Sequence, residues 1–250
     1  MHLSQLVSYL DDYLRVREVP DYPEALNGLQ VENAGEVTRV GAAVDLCEAT
    51  VRLAAAQGAD LLLVHHGLFW GGLRPLVGPR QRRVAGIVRH NIAVYSAHLP
   101  LDRHPDVGNN AVLAGALGVV LHGEFGKHEG VPIGVWGELH TERTALQQKI
   151  AAVLGAVPRL MPFGPAAVRL VGIITGAGGS MIADAAAAGL DTYITGEGPH
   201  HTFFDAEELG LNVFYAGHYA TEVAGVKALA EHVSAKFRIP WVFLDHPTGL

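Results

Sequence analysis

"VGAAVDLCEATVRLAAAQGADLLLVHHG", residues 40–67, sets the architecture. VTRVGAAVD, 37–45, reads as a buried strand, and CEATVRLAAAQG, 47–58, as a helix that stops near Gly58. ADLLLVHHG, 59–67, is a strand again. Strand, helix, strand at this spacing is the grammar of a parallel sheet with helices against it. Upstream, Leu3, Leu6, Val7, Leu10 and Leu14 fall at helical spacing, and Pro20 and Pro23 mark a loop. Downstream, 79–90 reads as a helix, 91–99 (NIAVYSAHL) as a strand, and 104–118 as a turn followed by a helix. VPIGVWGELH, 131–140, is a strand, and 141–155 is a helix with Thr141 or Glu142 near its start. VPRLMPFGP, 157–165, is loop-like, after which the alternation resumes.

That later segment repeats the first. VGIITGAGGSMIADAAAAGLDTYITGEG, 171–198, lies over 40–67 without a gap, position 171 on position 40, a displacement of 131. YAGHYATE, 215–222, lies over YSAHLPLD, 95–102, at a displacement of 120. Ala and Gly matches are cheap, but the shared Tyr, His and final acid strengthen the pairing. The expected fold is α/β, with two related lobes from an internal duplication, 1–120 and 121–250, each a mainly parallel sheet flanked by helices.

Composition narrows the chemistry. The 250 residues are 49% hydrophobic and 17% charged, a globular balance with room for a sizeable core. A net charge of −7 gives no bulk attraction to nucleic acid or acidic membranes. The single cysteine, Cys47, excludes an internal disulfide and a Cys-rich zinc site. No apolar run approaches a membrane span, and the first residues lack a signal-peptide pattern, so a cytoplasmic protein is expected. Fourteen histidines against three methionines direct attention to metal.

Strand ends in αβ sheets are where ligand sites collect. His65 and His66 stand at such an end, and neutral imidazoles are good ligands for borderline divalent ions. Neighbouring strand residues point opposite ways, so both can serve one site only if the chain turns there, which Gly67 permits. An isolated pair more often has one histidine bonded in the core and one exposed. This pair has company. His218 and Glu222 are four apart, which on a helix places imidazole and carboxylate on one face. His98 and Asp102 share that spacing, although Pro100 argues that a loop brings them together. His65, His66, Asp102, His218 and Glu222 supply three nitrogens and two carboxylates, enough for two ions with a hydroxide between them.

LLLVHHGLFWGG, SAHLPLDRHPDVGNNAVLAGALG, YITGEG and NVFYAGHYATE, with LNGLQVE near the N-terminus, resemble the motifs of the Nif-three-like family over nearly the whole chain. Bacterial members carry the name GTP cyclohydrolase 1 type 2 homologue, and this chain resembles the short form without the insert between lobes. The resemblance implies a dinuclear metal site between two αβ lobes and a ring-shaped homohexamer. It implies His65, His66, Asp102, His218 and Glu222 as ligands, Glu222 bridging, with His98 beside them either supporting a ligand or acting as a catalytic proton-transfer residue. Three imidazoles suit zinc, iron, manganese or nickel better than magnesium or calcium.

Other features have ordinary readings. GAGGS, 176–180, is a tight strand-to-helix turn; it lacks the Gly-Lys-Ser/Thr of a phosphate loop. Arg74, Arg80, Arg82, Arg83 and Arg89 follow the HHG loop and either bind phosphate or form a solvated helix face. His200 and His201, after TGEGP, either line a cleft with Glu197 or sit in a surface loop. Cys47 is expected in the core on its helix. The leading function is metal-dependent hydrolysis of a small phosphorylated or nucleotide-like substrate. The alternative is a non-catalytic metal-binding ring that stores or delivers metal, or a scaffold for a partner or single-stranded nucleic acid.

Overall fold

The strand predicted at 59–67 forms over Leu61–His66 and is buried at every position, which demands a neighbour on both edges and cover on both faces. The computed structural model of the chain describes residues 1–250, which divide into two units. Unit one is Met1–Leu101 with Gly225–His246, and unit two is Asp102–Ala224 with Pro247–Leu250. The sequence predicts a single boundary at 120. The chain instead passes from unit one to unit two after Leu101, and a late helix and strand return to unit one.

Unit one runs through α1 (Leu3–Leu14), β1 (Gly28–Val31), β2 (Val40–Asp45), α2 (Glu48–Ala56), β3 (Leu61–His66), α3 (Gly78–Arg89) and β4 (Ala93–Ser96). The one-turn helix α4 (Leu99–Asp102) leads out of it. Unit two contains α5 (Asn109–Leu117), β5 (Val120–His128), β6 (Val131–Glu142), α6 (Arg143–Leu154), β7 (Arg159–Pro162), β8 (Ala167–Ile173), α7 (Ile182–Ala187), β9 (Thr192–Thr195), α8 (Thr202–Glu208) and β10 (Asn212–Tyr215). The long helix α9 (His218–Phe237) then runs back into the residues of unit one, which β11 (Trp241–Phe243) completes.

The first sheet has the order β1-β4-β3-β2-β11, with three parallel pairs and an antiparallel β1 edge. One of its faces is closed by α2, α3 and their loops, through Leu46, Val51, Ala54, Leu62, Val64, Ile87 and Leu244. Each large apolar side chain among these contributes about 1.5–3 kcal/mol when fully buried. The second sheet has the order β5-β6-β8-β9-β10-β7. Only β8–β9 and β9–β10 are parallel, so it is mixed rather than mainly parallel. Its antiparallel part comes from the stretch least legible in sequence. Glu129 and Gly130 both adopt positive φ and close a tight β5–β6 hairpin. The segment expected as a loop at 157–165 holds β7, an edge strand against β10; its prolines hid it.

The repeated segments carry the same ladder. Val40 pairs with Leu61 and Val171 with Thr192; Gly41 pairs with Leu62 and Gly172 with Tyr193. The displacement is 131 throughout. It extends to a side-chain device. The Asp60 carboxylate accepts the backbone N–H groups of Thr38 and Arg39 at 2.9–3.1 Å. Asp191, 131 residues later, accepts those of Arg169 and Leu170 at 2.9 Å. Asp60 ties the start of β3 to the residues just before β2, and Asp191 ties the start of β9 to the middle of β8. The second match is looser: Leu63 pairs with Tyr95, whereas Ile194 pairs with Phe214, one residue short of the Tyr95–Tyr215 alignment.

Cys47 is the N-cap of α2 rather than a core residue of it. Its N–H donates to Thr50 Oγ1 at 2.9 Å, and its side chain is partly exposed. No helix is long and apolar enough to cross a membrane. Replacing Asp60 or Asp191 by Ala is predicted to cost about 1–3 kcal/mol each, because the backbone N–H groups they hold lose a charged acceptor. Urea denaturation of the two variants checks this, and an unchanged midpoint for either removes that aspartate from the account.

Candidate metal centre

In unit one the two histidines of β3 do not need a turn between them. Both lie within the strand, both are buried, and their rings tilt together with centroids 4.7 Å apart. Each is drawn by a different neighbour. His66 pairs with Asp45 across the β2–β3 ladder, and its Nδ1 lies 2.9 Å from Asp45 Oδ1. His65 leans toward the other side, with Nδ1 2.9 Å from the Ala97 carbonyl just after β4. His98 closes the group. Its ring centroid is 4.9 Å from that of His65, and its Nδ1 is 2.8 Å from Asp21 Oδ1. One ligand atom from each of His65, His66 and His98 falls within 4.8 Å of the others.

The acceptors decide the tautomer. A carbonyl or carboxylate oxygen can only accept, so in each case Nδ1–H donates and Nε2 carries the lone pair. Burial pushes the Asp21 carboxyl up, but the hydrogen bond from His98, with those from Asn27 and the Leu99 N–H, outweighs it and holds Asp21 below the usual carboxylate range. Asn27 also accepts the His98 N–H at 2.8 Å. Gln30 braces the turn after β3, accepting the Leu68 N–H at 2.7 Å and donating to the Ala25 and Leu26 carbonyls. Gly67 is needed for this approach and not for a special φ: a Cβ there would overlap the Gln30 amide.

In unit two α9 begins at His218, so His218 and Glu222 share a face as expected, with Nε2 and Oε1 3.2 Å apart. His218 Nδ1 lies 2.6 Å from Glu197 Oε1, on the loop after β9. Gly176, at φ +67°, lets the loop after β8 pass so close that a Cβ would collide with Glu222 Oε1. The Gly176 N–H donates to Thr221 Oγ1 at 3.0 Å, and the neighbouring Thr175 hydroxyl donates to Asp102 Oδ1 at 3.1 Å. Asn109 Nδ2 donates to the same oxygen at 2.8 Å. Asp102 and Glu222 are thus set by one loop. α4 accommodates Pro100 in its first turn, where the missing N–H costs nothing, so the stretch is a helical turn rather than a loop.

These donors fit borderline divalent ions: imidazole nitrogens and carboxylate oxygens, no thiolate, and ring orientations fixed by hydrogen bonds behind them. The electrostatics agree. Burial opposes the His218 cation, but Glu222 and then Glu197 outweigh it and raise its pKa to about 9. A positive charge is therefore favoured between His218 and Glu222, whether a proton or a metal ion supplies it.

Residues 1–248 match the family described as Duf34/NIF3 (NGG1p interacting factor 3). The chain belongs to this family. It is 45% identical over 250 residues to a GTP cyclohydrolase 1 type 2 homolog of Deinococcus radiodurans, across 99% of this chain and 94% of that protein. It is 43% identical to the Archaeoglobus fulgidus protein of the same name, across the whole of both. Among solved structures, TTHA1606 from Thermus thermophilus matches at a TM-score of 0.91 with 43% identity, covering all of both chains. The likeness carried by HHG and GHYATE in the sequence is borne out.

Within this NIF3-family chain the structure brings His65, His66 and His98 together in unit one, and His218 with Glu222 in unit two. Asp21, Asp45, Asn109 and Thr175 were not singled out in the sequence. Asp45 had a legible signal, as a lone charge ending an apolar strand; Asp21 sits in a proline-rich loop with none. His200 and His201 are exposed, and His200 packs edge-on to Phe204. The GAGGS turn uses its N–H groups internally, on Thr221, Thr195 and the Glu197 carbonyl, as a plain turn does.

A pH prediction follows from His218. Its folded-state pKa is raised, so in chelated protein its stabilisation is full below about 6.5 and is lost as pH rises through about 9. The melting-temperature gap between chelated wild type and His218→Gln should therefore be largest near pH 6 and shrink toward about pH 10. A gap that widens with pH contradicts the assignment.

Proposed function

We propose that this chain binds two divalent metal ions and hydrolyses a small phosphorylated or nucleotide-like substrate. One observation carries the metal reading: four histidines, in two groups, each have Nδ1 committed to an oxygen, so each can offer only Nε2 as a ligand. His65, His66, Asp102, His218 and Glu222 would hold the ions. His98 stands in the donor group itself, which supports a ligand role for it ahead of pure proton transfer. The matching ladders at a displacement of 131 support a duplication in which each unit offers its own strand end to donors.

Two divalent ions, when bound, supply Lewis acidity and a nucleophilic water at neutral pH. The chain's own residues do the rest. Asp45, Asp21 and Glu197 hold the imidazoles in orientation and raise their basicity. Asn109 and Thr175 fix the Asp102 carboxylate. Tyr22 and Trp70 form the aromatic wall beside His98, with ring centroids 5.9 and 4.5 Å from it. The name of the relatives, GTP cyclohydrolase 1 type 2 homolog, favours a nucleotide among phosphorylated substrates.

Protein supplied with manganese or zinc should carry two ions per chain by elemental analysis, and a His65→Ala/Glu222→Ala variant with unchanged circular dichroism should carry fewer than one. Equal metal in both would contradict the site. Asp45→Asn and Glu197→Gln should each weaken metal binding about 10–100-fold through the ring they orient. Loaded protein should release phosphate or base from a panel of nucleotides, and chelation should abolish it. Loading without turnover on any of them would favour the metal-binding scaffold instead.

A further inference from the structure

The loop after Gly67 and the first turns of α3 enclose a recess of about 460 Å³. Three of its lining residues are Arg74, Arg80 and Arg83, and none is acidic. None of the three forms an ion pair, whereas Arg82 on the same helix reaches Glu48 at 3.1 Å. Arg80 is pinned by donation from Nη2 to the Gly72 carbonyl at 2.9 Å, which fixes its guanidinium at the recess. Arg83 Nε is buried with no hydrogen-bond partner in the protein. The backbone adds to the same charge. α3 starts after Val77, which cannot cap it, and its first turn holds no acid. Cations at a helix N-terminus repel the helix dipole, an arrangement that an anion relieves.

Trp70 connects the recess to the histidines. It lines the recess and also lines a second one of about 360 Å³ with Tyr22 and Glu24. Its ring centroid is 4.9 Å from His66 and 4.5 Å from His98. A group held by the arginines is one aromatic side chain away from the three imidazoles. A planar ring on the same ligand would find Trp70 and Tyr22, whose rings meet edge to face at 6.2 Å.

We propose that the Arg74–Arg80–Arg83 recess is an anion subsite that takes the phosphate of a phosphorylated ligand, with Trp70 between it and the histidine cluster. Its place in turnover rests on the reading of that cluster as the reaction centre; its affinity for phosphate does not. Trp70 is one of three tryptophans, so a Trp136→Phe/Trp241→Phe background isolates its fluorescence. Inorganic phosphate titrated into this protein after chelation should change the Trp70 emission saturably. Adding Arg74→Gln and Arg83→Gln, with Arg80 kept for its hold on the loop, should weaken the apparent affinity about tenfold or more. Metal content of the unchelated arginine variant should stay at the parent value. No response in chelated protein, or equal affinity with and without the two arginines, overturns the subsite. Arginine-dependent phosphate binding in a protein that never loads metal would keep the subsite and overturn the reaction centre.

Discussion

An imidazole whose Nδ1–H is held by an oxygen can present only Nε2, and four histidines of this chain are held so. The rest of the structure can be traced from that constraint. His65 is fully buried, and a buried ring N–H without an acceptor would cost about 1–3 kcal/mol. Its acceptor is a backbone carbonyl after β4, available only because β4 lies beside β3. His66 needs Asp45, which reaches it only because β2 and β3 are parallel and in register. Sheet order, strand length and imidazole orientation are one problem in unit one.

Unit two solves the same problem with different residues. At the displacement of 131, Gly196 and Glu197 stand where unit one has His65 and His66. Glu197 therefore occupies a strand-end position but serves as the support of an imidazole, not as its equivalent. Gly196 and Gly176 leave room for the backbone around His218 and Glu222, where a Cβ would meet main chain or carboxylate. The shared parts, the Asp60 and Asp191 ties and the paired ladders, are those that hold strands; the parts that differ are those that carry the candidate donors. That division is the usual one in αβ folds.

Much of the fold was legible because its signals are local. The βαβ segments announce themselves by period and by Gly stops, and the i,i+4 pair at His218 and Glu222 by helical geometry. The illegible parts depend on long-range contacts. β7 reads as a loop because its flanking prolines and a Phe-Gly pair outweigh four residues of strand, and its pairing with β10 joins Arg159 to Tyr215, far along the chain. The return of α9 and β11 to unit one leaves no mark in composition. Asp21 meets His98 across 77 positions, and no spacing rule links a loop aspartate to a histidine that far away. The LNGLQVE motif was recognisable as a likeness, yet its physical use, with Asn27 and Gln30 bracing the loops that carry His98 and Gly67, emerged only in three dimensions.

The most direct test of the account is the ring-nitrogen state of these histidines. Long-range nitrogen–proton correlation spectra of selectively labelled, chelated protein at mildly alkaline pH should show His65, His66 and His98 with the proton on Nδ1. Titration with zinc should then move their Nε2 resonances while Nδ1–H stays in place. Protons on Nε2, or ring signals indifferent to zinc, would mean that the hydrogen bonds serve packing alone and that these histidines hold no metal.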